Sequence, residues 1–400
     1  MKKIYLFGII ASAGLAMTSC SSDETTENVA AQGNVIEFGT YLGRDAQTRG
    51  TVMDDGTLEN MGVYASYTNG NNFSASTNTP NFMHNQLVTK ENGTWNYSPL
   101  KYWPTTVGDK VSFFAYAPYT EKSGPVDNTG ASGDVLNSGS GNTIISTNST
   151  NSDTGAPTLI VTLPSDLTKM VDFVAGVKMN QTHTQTGNAN TAVNFTLKHE
   201  LTRVGMKAKV SQDVYKDDAQ HKTKVVITGI QLDGIDNGQF YQSGVYTFAT
   251  KDDDRGTWVG TAATKDFDLK TLLNTNTYTT GTYEKTGIVL ENETAKSLFK
   301  NDQYLFLIPV NSETGMNQES KATATISYDI VTADDALDGK HFVSRATKTV
   351  NIPVGTLAQG KAYTLTFTIN VDEVKLSATV DNWGDENQNG NTTVDYKDAK

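Results

Sequence analysis

The stretch Val374-Lys375-Leu376-Ser377-Ala378-Thr379-Val380-Asp381 alternates strictly between apolar and polar side chains. Successive side chains of a β-strand point to opposite faces, so one face of this segment is apolar and the other is polar. A helix would instead need apolar residues at a spacing of about 3.6 residues, which the segment lacks. The stretch therefore predicts a strand that lies over a hydrophobic core.

Runs of the same kind recur on both sides of residue 200. They are rich in Val, Ile, Thr, Tyr and Phe, and clusters of Asn, Gly, Asp and Ser separate them, which is typical of strands and turns. The clearest are residues 35–41, 111–116, 158–163, 204–210, 225–232, 304–308, 322–328 and 363–371. Few windows have helical spacing, and the best helical candidates, 266–273 and 294–299, are short and are expected to connect strands. Residues 122–157 carry almost no large apolar side chains and are predicted to be a long surface loop.

This pattern predicts an all-β chain with two β-sandwich domains in tandem. The N-terminal sandwich would occupy residues 35–200 and the C-terminal sandwich residues 201–383. A polar tail, residues 384–400, would follow them.

Composition excludes several classes of function. The 32 basic and 44 acidic residues give a net charge of −12, whereas nucleic-acid binding depends on clustered Lys and Arg. We therefore expect no nucleic-acid partner. A single Cys in 400 residues is too few for a disulfide framework or a thiolate zinc cluster.

The first twenty residues have the pattern of an export signal. Lys2 and Lys3 precede an apolar stretch at residues 4–17, which is shorter than the ~20 residues that a membrane helix needs. The following Ser19 and Cys20 resemble a bacterial lipobox. We expect residues 1–19 to be a signal peptide cleaved between these two residues, with Cys20 acylated. The alternative is a small buried Cys.

Residues 20–34 are polar after the Cys and are predicted to tether the protein to the membrane. Asp23 and Glu24 form an acidic cluster that resembles the signal sending some lipoproteins to the outer face of the outer membrane. The predicted location is therefore the cell surface, with the lipid in the outer membrane.

The side chains that usually carry chemistry are scattered. The five histidines, His84, His183, His199, His221 and His341, show no pair at the spacing of a zinc site. The sequence has no nucleophile elbow, P-loop or dinucleotide-binding fingerprint. We therefore predict no catalytic residues, no metal and no cofactor, and a protein that is not an enzyme.

An aromatic block precedes the middle of the chain. Its members are Trp95, Tyr97, Tyr102, Trp103, Phe113, Phe114, Tyr116 and Tyr119. Such rings either fill a sandwich core or stack on sugar rings at the surface. Core packing is the preferred interpretation.

Several segments, taken in order, resemble the fimbrillin family of surface lipoproteins, the Mfa-like type V pilins. They include Val35-Ile36-Glu37-Phe38, Gln47-Thr48-Arg49-Gly50, Met61-Gly62-Val63-Tyr64-Ala65, Trp95-Asn96-Tyr97-Ser98-Pro99, Val111-Ser112-Phe113-Phe114-Ala115-Tyr116-Ala117-Pro118 and Phe195-Thr196-Leu197-Lys198-His199-Glu200-Leu201-Thr202-Arg203. The resemblance implies two transthyretin-like sandwiches and subunits that polymerise by strand exchange. An Arg-specific surface protease would remove the lipidated N-terminal strand and open a groove for a strand from another subunit.

Carried onto this sequence, the resemblance assigns a role to individual residues. Ile36 and Phe38 would be the apolar side chains of the removable strand, and cleavage would follow Arg49, with Arg44 in reserve. The alternative is that both arginines are solvated loop residues.

The donated strand would carry Val374, Leu376, Ala378 and Val380. The alternative is that these residues form the last strand of the second sandwich and stay there.

The functional expectation is a structural subunit of surface fimbriae that supports cell adhesion. Its partners would be other pilin subunits, the outer membrane through the lipid, the Arg-specific protease, and a ligand on a host or bacterial surface. The rival hypothesis is a monomeric, surface-exposed lipoprotein that binds glycans.

Overall fold

The computed structural model describes residues 35–42, 52–121, 144–183, 192–211, 214, 221–234, 240–264, 266–300, 303–309, 322–334, 341–352, 357–370, 373–383 and 392–395. Over these ranges the chain is built of strands, and its only helical elements are two 3₁₀ turns, Leu167–Lys169 and Leu269–Thr271. The prediction of an all-β fold is confirmed. Each of the eight runs named above contains a strand.

The first strands are β1 (Glu37–Leu42), β2 (Asn60–Tyr67), β3 (Met83–Glu91), β4 (Thr94–Asn96), β5 (Val111–Ala117), β6 (Ile144–Thr147), β7 (Thr158–Thr162), β8 (Val174–Gln181), β9 (Ala192–His199), β10 (Thr202–Val210), β11 (His221–Gly234) and β12 (Phe240–Thr247). The later strands are β13 (Thr257–Thr264), β14 (Asp266–Asp268), β15 (Asn276–Thr280), β16 (Tyr283–Leu290), β17 (Lys296–Ser297), β18 (Leu305–Leu307), β19 (Ala322–Asp334), β20 (His341–Asn351), β21 (Lys361–Ile369), β22 (Val374–Asn382) and β23 (Thr392–Asp395).

The N-terminal sheet has seven strands in the order β1-β9-β8-β5-β2-β3-β4. Its inner face encloses a core to which both edge strands contribute, with Phe38 from β1 and Trp95 from β4. The sheet therefore curls around its own side chains. Strand β5 lies at its centre and is buried on both faces, which explains why Val-Ser-Phe-Phe-Ala-Tyr-Ala reads as a continuous apolar run instead of an alternation.

The outer face of this sheet packs against a four-stranded sheet in the order β13-β12-β7-β6. Phe114 and Tyr64 contact the ring of Phe248, at centroid distances of 5.7 and 6.3 Å. Strands β12 and β13 come after residue 200, yet β12 pairs with β7 from before it. Hydrogen bonding therefore crosses the division between residues 35–200 and 201–383, and that division does not separate the sheets.

The C-terminal half contains two more sheets, each with six strands. One has the order β17-β10-β21-β22-β23 with β18 beside β10, and the other has the order β15-β16-β11-β19-β20 with β14 beside β11. Alternate apolar residues of β10, β21 and β22 meet those of β11 and β19 in a large core that continues under the four-stranded sheet. The layers form a β-sandwich arrangement.

Three segments differ in part from what the sequence predicts. In the window 266–273, β14 pairs with β11, and the Leu269–Thr271 turn follows with Asp268 accepting a 2.9 Å hydrogen bond from the amide of Lys270. The window 294–299 contains β17, which pairs with β10. Within the predicted loop 122–157, Ile144–Thr147 is β6 and pairs with β7. In each case pairing with a distant strand prevailed over a weak local pattern.

Candidate functional site

Strand β1 occupies one edge of the seven-stranded sheet and pairs in parallel with β9, from Glu37↔Ala192 to Leu42↔Leu197. Ile36, Phe38 and Leu42 are only 0, 6 and 1% exposed. Burial of three large apolar side chains contributes roughly 5 to 9 kcal/mol. The element is thus an edge strand that is deeply anchored by its side chains.

Phe38 is the centre of this anchor. Its ring lies 5.3 Å from Tyr97, 6.0 Å from Phe113 and 5.9 Å from Phe195, measured between ring centroids. These partners follow β4 or belong to β5 and β9. A single side chain of β1 therefore fills the space between distant parts of the curled sheet.

Hydrogen bonds hold both ends of the strand. The amide of Ile36 donates to the carbonyl of Lys101 at 2.9 Å, and the Tyr97 hydroxyl donates to the carbonyl of Ile36 at 2.8 Å. At the other end, the amide of Leu42 donates to Oδ1 of Asp55 at 2.9 Å. Sequence reasoning identified Ile36 and Phe38 but missed Leu42, although its position in the alternation of β1 places it on the same face.

A groove of about 530 Å³ separates β1 from the opposite sheet edge at β4. Its lining is mixed and includes the side chains of Phe38, Trp95, Tyr97 and Leu100 together with Lys90. The groove follows the side of β1 that faces away from β9. The curled sheet is therefore open along this line.

The residues predicted for processing, Ser19, Cys20, Arg44 and Arg49, lie outside the described residues. The described residues on either side of the two arginines, Leu42 and Val52, are both buried.

Strand β22, the predicted donor, lies inside a sheet of its own chain. It pairs with β21 along its whole length, from Lys361↔Asn382 to Ile369↔Val374, and with β23 at residues 377–380. Val374, Leu376 and Ala378 are buried, and Val380 is half-buried. The alternation was thus interpreted correctly as a strand over a core.

A polar cluster that sequence reasoning missed lies where the N-terminal sheet meets the C-terminal half. Asp172 accepts hydrogen bonds from the amides of Met53, at 3.1 Å, and Phe173, at 2.8 Å, and Nδ1 of His199 lies 2.7 Å from its Oδ2. The imidazole of His199 stacks on Trp383, with centroids 4.1 Å apart and planes 8° apart. In the sequence, the only hint of this buried cluster was the adjacent pair His199-Glu200.

Glu200, the neighbour of this histidine, is also buried. Burial raises the pKa of its carboxyl to about 8, against the opposing effect of the Arg255 guanidinium 3.8 Å away. Gln359 donates a hydrogen bond to the carboxyl, and Nε1 of Trp258 donates to the backbone carbonyl at 2.9 Å. Glu200 therefore joins segments from both halves of the chain.

Most of the aromatic block is core, as predicted. Trp95, Trp103, Phe113, Phe114 and Tyr116 are buried. Tyr97 and Tyr119 are half-buried, and Tyr102 is 44% exposed. One exposed ring is too little for a flat platform that would stack on sugars.

No three side chains among His, Cys, Asp and Glu in the described ranges are grouped in a way that could hold a metal ion. Those ranges also contain no helix with the length and hydropathy to cross a membrane.

This chain is similar to known fimbrial proteins. Residues 48–383 match the model of the fimbrillin-like family. Fimbrium subunit Fim1C of Phocaeicola vulgatus is 30% identical over an alignment of 391 positions that covers 94% of this chain and 95% of that protein. The crystal structure of a fimbrial protein from Bacteroides vulgatus aligns with a TM-score of 0.70 and 25% identity, over 88% of this chain and 99% of that one. The family consists of structural fimbrial subunits and is not an enzyme family, and this chain belongs to it.

Proposed function

We propose that this protein is a subunit of cell-surface fimbriae that is exported as a lipoprotein and assembled by exchange of its first strand. The observation that carries the proposal is the placement of β1. It is a short edge strand paired on one side, and it is fixed by Ile36, Phe38 and Leu42 in a core that the rest of the sheet encloses.

A cut after Arg49, or after Arg44, would separate β1 covalently from the rest of the subunit. Its loss would uncover the backbone edge of β9 and the apolar side chains around Phe113 and Phe195. An unpaired edge with apolar pockets accepts an added strand, because the strand satisfies backbone groups and its alternate side chains refill the core. A strand donated from subunit to subunit is a head-to-tail contact, which propagates as a filament.

The donor in this proposal is the segment with Val374, Leu376, Ala378 and Val380. Its alternation matches the period that a strand acceptor requires. Donation requires that β22 first leave β21 and β23, so pairing within the subunit competes with polymerisation.

Before processing, acylation of Cys20 would hold the subunit at the outer membrane. Each buried methylene of an acyl chain contributes about 0.8 kcal/mol, so two or three chains anchor a folded domain firmly. The expected partners are other pilin subunits, the membrane, an Arg-specific surface protease and a ligand on a host or bacterial surface. The name of the P. vulgatus relative, a fimbrium subunit, supports the same role for this chain.

The test is the mature N-terminus of the protein taken from its native surface, determined by mass spectrometry beside a non-boiled gel. We expect Gly50, or Asp45 for the reserve site, together with a ladder of high-mass species. The matched variants are Arg49→Lys and Arg44→Lys, which keep the charge but remove the arginine that the protease would recognise. Arg49→Lys should abolish the ladder and Arg44→Lys should not. An acylated Cys20 on intact monomers would contradict the proposal.

A further inference from the structure

We infer that Asp172, His199 and Trp383, called here the junction cluster, couple the segment that starts at Val52 to the end of β22 and hold β22 in its own sheet. The inference rests on the proposed function, because it concerns when β22 can be released.

The first contact of the junction cluster is with the segment that follows the proposed cleavage site. The amide of Met53 donates to Oδ2 of Asp172, 119 residues away in sequence. Val52, directly before Met53, is buried in the core cluster that also contains Trp383. The first described residues after Arg49 therefore contact Asp172 and share a hydrophobic core with Trp383 of the C-terminal half.

The second contact joins Asp172 to His199, whose Nδ1 approaches the same oxygen, Oδ2, that accepts the Met53 amide. Both side chains are no more than 1% exposed. A carboxylate only accepts hydrogen bonds, so the imidazole donates and its ring orientation depends on Asp172. A change at the Met53 amide therefore acts on the group that orients His199.

The third contact joins His199 to Trp383, the residue after the last residue of β22. The indole stacks on His199 and also on Phe306, with a centroid distance of 5.7 Å to Phe306. The guanidinium of Arg203 lies 5.1 Å above the same indole, and the Trp383 amide donates to the carbonyl of Gly360 at 3.2 Å. Strand β22 therefore ends in a side chain inserted among three others.

The junction cluster differs from an ordinary core in its hydrogen bonding. Nε2 of His199 and Nε1 of Trp383 are both buried and have no hydrogen-bond partner within the described part of the chain. Buried polar nitrogens normally have partners, and leaving them unpaired costs free energy. Release of Trp383 would expose both nitrogens to water and recover that cost. Aromatic stacking holds the closed arrangement, and hydration of the two nitrogens favours the open one, as expected of an element with two states.

The test is hydrogen exchange, read by mass spectrometry, on the uncut chain from residue 21 onward, which lacks only the signal peptide and the acylated Cys20. We expect Asp172→Asn to accelerate exchange of the β22 amides by about tenfold or more, through a local opening, with a smaller increase in residues 52–58. Strands β11 and β19 should be unchanged. The matched control is Asp329→Asn, which alters another buried carboxylate, one bonded to the Tyr283 hydroxyl at 2.9 Å, and should leave β22 unchanged.

A second variant, Trp383→Leu, should produce the same local opening of β22, with Trp103→Leu in the N-terminal core as its control. If Asp172→Asn leaves β22 exchange as in wild type, the coupling is absent. If it accelerates every strand of the C-terminal sheet equally, the cluster is only part of the core.

Neither readout requires cleavage or polymers. A native protein found intact and monomeric would overturn the proposed function, and the exchange result would still decide the coupling.

Discussion

The hydroxyl of Tyr97 donates a 2.8 Å hydrogen bond to the backbone carbonyl of Ile36. The phenol belongs to the segment after β4, at one edge of the curled sheet, and the carbonyl precedes β1, at the other edge. One side chain therefore joins the two edges and holds the strand whose removal the proposed assembly requires.

Replacement of this tyrosine by Phe should weaken the hold on β1 while keeping the ring that packs on Phe38. We expect Tyr97→Phe to lower the free energy of unfolding by about 1 kcal/mol, because the Ile36 carbonyl loses a partner. After cleavage, the N-terminal peptide should dissociate faster, as measured by size-exclusion chromatography of the cut protein. Tyr102→Phe, at a 44% exposed ring, is the control. Equal peptide release from both variants would refute the role of Tyr97.

Truncation of Phe38 should lower the free energy of unfolding much more than Tyr97→Phe does. Phe38→Ala removes a ring that contacts Tyr97, Phe113 and Phe195, and we expect a loss of about 3 to 5 kcal/mol in urea unfolding of the uncut chain. Tyr41→Ala, on the same strand but 44% exposed, should cost less than about 1 kcal/mol. Similar costs for the two variants would mean that β1 is not anchored through its buried face.

Glu200 should make stability depend on pH. Its pKa is about 8 in the folded protein and near 4.5 when exposed, so between these values the folded state binds more protons than the unfolded state. This contribution is complete below pH 4.5 and is lost as the pH rises through about 8. Stability should therefore fall with rising pH in this range.

The variant that isolates this effect is Glu200→Gln, which keeps the shape of the side chain and removes its titration. Its unfolding free energy should fall less between pH 5 and pH 8, by about 1 to 3 kcal/mol, in urea titrations at several pH values. The control is Glu291→Gln, because Glu291 is exposed and its pKa is lowered by Lys224. The same pH slope in Glu200→Gln as in the wild type would show that another group is responsible.

Gly62 allows β2 to lie close to β5. A Cβ atom at this position would come within 2.3 Å of the Tyr116 ring, which is fully buried and bonded through its hydroxyl to Asn85 at 2.7 Å. Gly62→Ala should therefore destabilise the chain by about 1 to 3 kcal/mol through overpacking. Gly229→Ala, also in a strand but with no atom within 4 Å of the added carbon, is the control, and the two midpoints of thermal unfolding should differ. Equal midpoints would mean that the Tyr116 ring moves aside freely.

Local sequence determined the clearest strands and which of their faces are buried. The alternation at residues 374–381 became β22, with Val374, Leu376 and Ala378 in the core, and Ile36 and Phe38, which the family resemblance assigned as apolar side chains of the first strand, are buried. This succeeds because side-chain direction in a strand has a period of two residues and needs no knowledge of the partner.

Tertiary structure decided which strands pair. The parallel contact of β1 with β9, the pairing of β12 with β7 across residue 200 and the meeting of Asp172, His199 and Trp383 join residues that are 27 to more than 150 positions apart. A period of two residues fixes the face but leaves the partner and the register open, because hydrogen bonds between strands form from backbone groups that every residue carries. The contacts that decide how β1 and β22 are held therefore arise only when the sheets assemble.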